Sequence, residues 1–275
     1  MRLRFRVLGS GSSGNATLVE AGATRLLLDA GLGPRELAER LQSAGVDPAS
    51  LSAVLLSHEH QDHARGAASF SRKWGVRLAG TRGTYAAAGI GAEEIAGYDI
   101  LEPGVARSFG RLMALGVRIP HDAADPVGFV VSCGSASLGH ATDLGHVGAS
   151  LVAAFARCQA VLLESNYDPG MLREGPYPWS LKDRILSPLG HLSNSDTARY
   201  LARGLPDACH SVVLAHLSEK NNHPEVARMA AERALESAGH GARVRISDRD
   251  GTGWIDVAPA AAAAGQGAQL SLWSD

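Results

Sequence analysis

The heptapeptide Ser57-His58-Glu59-His60-Gln61-Asp62-His63 packs three imidazoles and two carboxylates directly behind the apolar run Ala53-Val54-Leu55-Leu56. Histidine is the commonest metal ligand, and Asp adds the oxygen donor used by mixed nitrogen and oxygen sites for Zn2+ or Mn2+. The bland alternative is a polar loop that happens to be rich in His. The His-x-His-x-Asp-His spacing points to metal binding, and other parts of the chain test it.

The same arrangement, an apolar run followed by a polar group, recurs along the chain. Leu115 to Ile119 leads to Pro120-His121, Ser137 to Thr142 leads to Asp143, Ala160 to Leu163 leads to Glu164, and Ser211 to Ala215 leads to His216. Strands with those ends on one rim would converge their polar groups on one cleft. By donor count, His58, His60 and His121 suit one ion, Asp62, His63 and His216 suit a second, and Asp143 bridges them. Two ions with water need about six or seven protein ligands, which this set supplies. Asp29, closing Leu26-Leu27-Leu28, suits an acceptor that fixes an imidazole's orientation, or else a plain turn before Ala30-Gly31.

The elements that must position these groups read as a mixed α/β chain. Helical patterns over Pro34 to Ala44, Ser180 to Leu186, Ser195 to Arg203 and Pro224 to Ala238 alternate with short strands. With 275 residues, 45% hydrophobic content and a net charge of −2, the chain has material for one large core, so a single catalytic domain over residues 1–256 with a tail over 257–275 is expected. The N-terminus lacks an apolar h-region, and no apolar run approaches the roughly 18 residues of a membrane span, so a cytoplasmic protein is expected. Cys133, Cys158 and Cys209 lie far apart without C-x-x-C spacing, which argues against a disulfide framework or zinc knuckle. The near-neutral charge does not advertise nucleic-acid binding, although Arg2, Arg4 and Arg6 share one face of a first strand and form either a local basic strip or a solvated face.

The segments LLLDAG, SHEHQDH, IPHDAADPVGF, ATDLG and LAHLSEKNN together resemble the metallo-β-lactamase superfamily over residues 3 to 255. That resemblance implies a four-layer αββα sandwich with a dinuclear metal site on one edge. Asp143 stands where a true β-lactamase would have Cys. The stretch from Glu164 to Asn194 resembles the WalJ/YycJ branch, whose members are similar to 5′-to-3′ exodeoxyribonucleases, with Tyr167 where that branch more often has His. The short span from Asp143 to His191 leaves no room for the large inserted domain of RNase J-like enzymes.

Glu164 and His191 match residues that form an acid–imidazole pair beside the metals in tRNase Z enzymes, which implies catalytic roles for both alongside Asp62. His191 would donate a proton to the leaving oxygen or stabilise phosphoryl charge. It stands just before Ser193-Asn194-Ser195, an N-cap sequence whose free N–H groups favour an anion, so Ser193 and Asn194 are phosphate-binding candidates. Lys182 and Arg184 on the preceding helical segment are further phosphate contacts or a solvated face. His140 and His146 read as supporting residues, His210 and His240 as surface residues, and His223 before Pro224 as a cap.

After Asp256 the composition turns to Ala and Gly, the signature of a tether. It ends in Gln269-Leu270-Ser271-Leu272-Trp273, which resembles the bacterial sliding-clamp-binding motif, in which Leu and aromatic anchors fill an apolar pocket. The alternative is a tail folded back on the domain. The expected function is a DNA exonuclease of replication or mismatch repair that uses two Zn2+ or Mn2+ ions, with DNA and the polymerase sliding clamp as partners and no membrane. A thioester or lactone hydrolase with the same ligands is the second reading, and a clamp-associated regulatory protein the third.

Overall fold

The computed structural model describes residues 2–259. One seven-stranded sheet is formed by β1 (Leu3–Gly9), β2 (Ala16–Ala21), β3 (Thr24–Leu28), β4 (Ala53–Leu55), β5 (Leu78–Gly80) and β6 (Tyr98–Ile100), with β14 (Ile255–Val257) on the edge beside β1. The other contains, in spatial order, β13 (Arg243–Ile246), β12 (Ser211–Ala215), β11 (Ala160–Glu164), β10 (Ala136–Ala141), β9 (Val127–Cys133), β8 (Leu112–Arg118) and β7 (Ala106–Phe109). Helices α1 (Pro34–Ser43), α2 (Gln61–Ala64), α3 (Ala67–Trp74) and α4 (Arg82–Ala88) belong to the first half of the chain. The second half carries α5 (Ala149–Phe155), α6 (Pro169–Glu174), α7 (Trp179–Leu186), α8 (Asn194–Arg203) and α9 (Pro224–Ser237).

Three apolar clusters define four layers. Alternate residues of the strands, such as Leu3 and Phe5 of β1, Leu26 and Leu28 of β3, and Ala160 and Leu162 of β11, meet Phe129 and Leu138 between the sheets. The intervening residues face outward: Leu27 and Val54 pack on Leu37, Leu41 and Phe70 of α1 and α3, whereas Val161 and Leu163 pack on Phe155, Leu201 and Ala231 of α5, α8 and α9. Strands buried on both faces have no polar side, which is why these runs are continuously apolar. The αββα sandwich follows from that two-sided burial.

Strand direction collects the polar groups. β3 and β4 pair in parallel, as do β10, β11 and β12. β9 is antiparallel to both β8 and β10, so β8 shares the direction of β10. The carboxyl ends of β8, β10, β11 and β12 therefore share one rim, as in other sheets where parallel strands deliver functional loops.

Arg2, Arg4 and Arg6 do not form a free basic strip. Arg2 pairs with Asp256, Arg4 donates to Glu20 while stacking 4.1 Å over the Trp254 ring, and Arg6 reaches the Ser43 carbonyl at 3.4 Å. The cysteines are free, with Cys158 and Cys209 buried. Val257 pairs with Leu3 and is buried in the edge strand β14. Gln269, Leu270, Ser271, Leu272 and Trp273 lie outside the described residues. Among those described, no helix is long and apolar enough to cross a membrane.

Candidate metal centre

Asp29 follows β3, Asp143 lies just beyond β10, and His216 follows β12; all three have left-handed backbones, with φ of 61°, 59° and 54°. Asp and His tolerate this region better than most residues, and such conformations cluster at functional sites held by their surroundings. At His216 the support is explicit: its N–H donates to Ser10 Oγ at 2.7 Å, and its carbonyl accepts from Asn166 Nδ2 at 2.8 Å. Each turn ends a strand abruptly and sends a polar side chain into the rim.

The heptapeptide divides between two conformations. His58 and His60 lie in the extended segment after β4, whereas Asp62 and His63 belong to the single turn of α2. That turn sits tightly on the loop after β3, because a Cβ placed on Gly31 would fall 1.6 Å from the Asp62 carbonyl oxygen. Glycine is the only residue that fits this approach.

Each buried imidazole is oriented by a neighbour. Asp29 accepts from Ser57 N at 2.7 Å, from Ser57 Oγ at 2.8 Å and from His63 Nδ1 at 2.8 Å. Because Ser57 Oγ spends its proton on Asp29, His58 Nδ1, 3.0 Å away, is the donor to Ser57 Oγ, and His58 Nε2 is left buried without a partner. His121 Nδ1 donates to the carbonyls of Leu189 and Gly190, which turns Nε2 toward His60 Nδ1 at 3.3 Å. Glu164 Oε1 accepts from both His191 Nδ1 and His216 Nδ1 at 2.8 Å, while Oε2 accepts from the backbone N–H groups of Leu144 and Leu192. His216 Nε2 is a second buried nitrogen without a hydrogen-bond partner.

Two groups of side chains result. Ligand atoms of His58, His60 and His121 lie within 4.8 Å of one another, as do those of Asp62, His63, Asp143 and His216. A third such group joins Asp143, His191 and His216 to Glu164, but the Glu164 carboxylate is already filled by four donors, so it orients and does not ligate. Orphaned imidazole nitrogens facing carboxylates fit a divalent cation, because a buried lone pair without a donor is otherwise costly. These His and Asp clusters can therefore hold metal ions.

The electrostatics point the same way. Burial disfavours charge on His216 and His63, yet the Asp143 carboxylate, with Asp62 and Glu164 at His216 and Asp29 at His63, outweighs it and raises both well above the usual imidazole range. Burial also opposes charge on His191, and Glu164 and Asp143 again prevail and raise it. Burial together with His63 pushes His58 well below its ordinary value, leaving a neutral imidazole of the kind a metal requires. A negative potential that favours imidazolium favours a bound cation equally.

The cleft, of about 280 Å3, is lined by His60, Asp62, His121, Asp143, His191 and His216, and by Ser12, Asp122, Asn166, Tyr177, Leu181, Arg184, Ile185, Gly190 and Ser218. Arg184 reaches it with its guanidinium on Asp122 at 2.6 Å. Three expected phosphate contacts are committed elsewhere. Lys182 is buried, donating to the Arg173 carbonyl at 2.7 Å beside the Trp179 ring. Ser193 caps α8 and donates to Asp196 Oδ2, while the Asn194 amide bonds Ser165 and Asn222. His140 is buried against Thr17 Oγ1 at 3.2 Å, its pKa pushed down to about 4 by burial, and His146 is exposed beside the Pro188 carbonyl. His223 caps α9 through Nδ1, and His210 and His240 tie loops through ring nitrogens. Ser10, Asn166 and Asp122 were not singled out from the sequence, because nothing in their local spacing distinguishes them from ordinary loop polar residues.

Comparison with known proteins bears on this centre. The family model for the metallo-beta-lactamase superfamily matches residues 9–196. The chain belongs to the metallo-β-lactamase superfamily. It is 35% identical to exodeoxyribonuclease YycJ of Bacillus anthracis over 243 residues, covering 88% of this chain and 92% of the relative. It is 34% identical to exodeoxyribonuclease WalJ of Streptococcus pneumoniae over 245 residues, covering 88% and 91%. Among solved structures, the metallo-β-lactamase fold protein YhfI of Bacillus subtilis superposes with a TM-score of 0.73 at 16% identity, over 93% of this chain and all of that one. The superfamily's fold thus accounts for both sheets and for the rim on which the His and Asp clusters stand.

Proposed function

We propose that the chain is a dinuclear metal-dependent phosphodiesterase, a 5′-to-3′ DNA exonuclease of replication or mismatch repair. The observation that carries this reading is the Glu164–His191 pair, an imidazole anchored through Nδ1 on a saturated, buried carboxylate and standing in the cleft beside the His and Asp clusters. The exodeoxyribonuclease names of the two relatives support DNA as the substrate. Thioester or lactone cleavage leaves the Glu164–His191 pair without an evident task.

In this reading His58, His60 and His121 would hold one ion and Asp62, His63 and His216 the other, with Asp143 as a donor available to either; the mixed donors suit Zn2+ or Mn2+. When bound, such ions supply Lewis-acid charge at the phosphate and a lowered pKa for attacking water. The chain does the rest. Glu164 accepts from His191 Nδ1–H, which keeps the ring protonated and leaves Nε2–H for the leaving alkoxide. Asp62, on the cleft wall 3.3 Å from His216 Nε2, faces the site of attack. Arg184, released from Asp122, supplies positive charge to a flanking phosphate.

The polymerase sliding clamp is the proposed protein partner, through Gln269 to Trp273. The test of the activity is purified protein with Mn2+ or Zn2+ on single- and double-stranded DNA labelled at either end. Stepwise nucleotide release from the 5′ end supports the reading. No release with either metal refutes it.

A further inference from the structure

Beside the imidazoles and carboxylates described above, the cleft is lined by an apolar group from the α6–α7 segment, Tyr177, Leu181 and Ile185, next to Arg184 of the same helix. Tyr177 is half-buried and lines the cleft. It does not depend on substrate for its position, because Tyr177 and Leu181 pack on a small separate cluster of Tyr167, Leu172 and Ile185. Lys182 locks α7 to α6 through the Arg173 carbonyl. Tyr167, the position where this chain departs from its branch, is 5% exposed at the base of that cluster, and burial pushes its hydroxyl up to about 12, so it serves as neutral packing.

A cleft that joins ionic groups to a prebuilt aromatic surface matches a nucleotide, whose phosphate and base have those same characters. We propose that Tyr177, backed by Leu181 and Ile185, is the stacking platform for the nucleobase of the nucleotide being released. This rests on the phosphodiesterase reading above. Aromatic stacking tolerates any base, because each presents a π-face, so the platform holds the end nucleotide without selecting sequence.

The test compares oligodeoxynucleotides that carry either a normal or an abasic nucleotide at the end from which the metal-loaded wild-type protein releases products. Wild type is expected to show a KM about fivefold or more higher for the abasic end, the low end of what one base–aromatic stack contributes. Tyr177→Ala should raise KM for the normal end by a similar factor with kcat little changed, and should no longer distinguish the two ends. Tyr177→Phe, which keeps the ring, should behave as wild type. Equal KM for both ends in an active wild-type protein, or a Tyr177→Ala protein that still distinguishes them, overturns the platform alone. Absence of any nucleotide release by wild type overturns the phosphodiesterase reading and the platform with it.

Discussion

Glu164 shows how much one buried side chain can organise. It is fully buried, accepts four hydrogen bonds, and orients His216 and His191 at once. Burial disfavours its ionised form, yet the imidazoles it contacts, His191 foremost, keep its pKa below the usual glutamate range. His191 Nδ1 is committed to Glu164 and the ring sits on the cleft wall, so its removal should spare the metals. His191→Ala is expected to retain the wild-type metal content by elemental analysis while losing about 10²- to 10⁴-fold in kcat, the range for a positioned proton donor. Loss of metal in that variant would contradict the role. At this scale the convergence of His58, His60, Asp62, His63, His121, Asp143 and His216 was legible, because ligand-type residues stand at the ends of apolar runs. The fates of Lys182, Ser193 and Asn194 were not, since the partners that occupy them, Arg173, Asp196, Ser165 and Asn222, are set by tertiary packing. Nor does spacing reveal that Glu164 also holds His216, which is 52 residues away.

Among the elements, the loop after β3 and the turn of α2 depend on each other. Gly31 N donates to the Asn15 carbonyl, and Asn15 N donates to the Asp62 carbonyl, so these segments interlock beneath the ligands. Gly31→Ala forces a methyl group into the Asp62 backbone and should cost about 1–3 kcal/mol, the usual range for overpacking. A lowered urea midpoint together with reduced metal content is expected; a wild-type midpoint would contradict the tight contact. The long two-sided strands and the helices α1, α7, α8 and α9 were readable from apolar runs, Pro34 and Pro224 at helix starts, and the cap at Ser193. β5 and β6 are three residues each and α2 is four, too short to carry a period.

Across the molecule, the last described residues and the cleft lie at opposite ends of one strand. His216 follows β12 at the cleft, whereas His210 precedes it and accepts from the N–H of Ala258, near the last described residue. The five residues of β12 separate the two by about 17 Å. Deleting residues 269–273 is expected to abolish binding to the replication clamp in surface plasmon resonance and leave turnover on short DNA unchanged; unchanged clamp affinity would contradict the assignment.

The proposed activity of the His and Asp clusters is metal-dependent cleavage of phosphodiester bonds in DNA. It is tested by nucleotide release from 5′-labelled DNA by wild type and Asp143→Asn in matched concentrations of Mn2+, with and without chelator. Wild type alone should release 5′ nucleotides, and chelator should abolish the release. Equal release by Asp143→Asn, or release that survives complete metal removal, would contradict it.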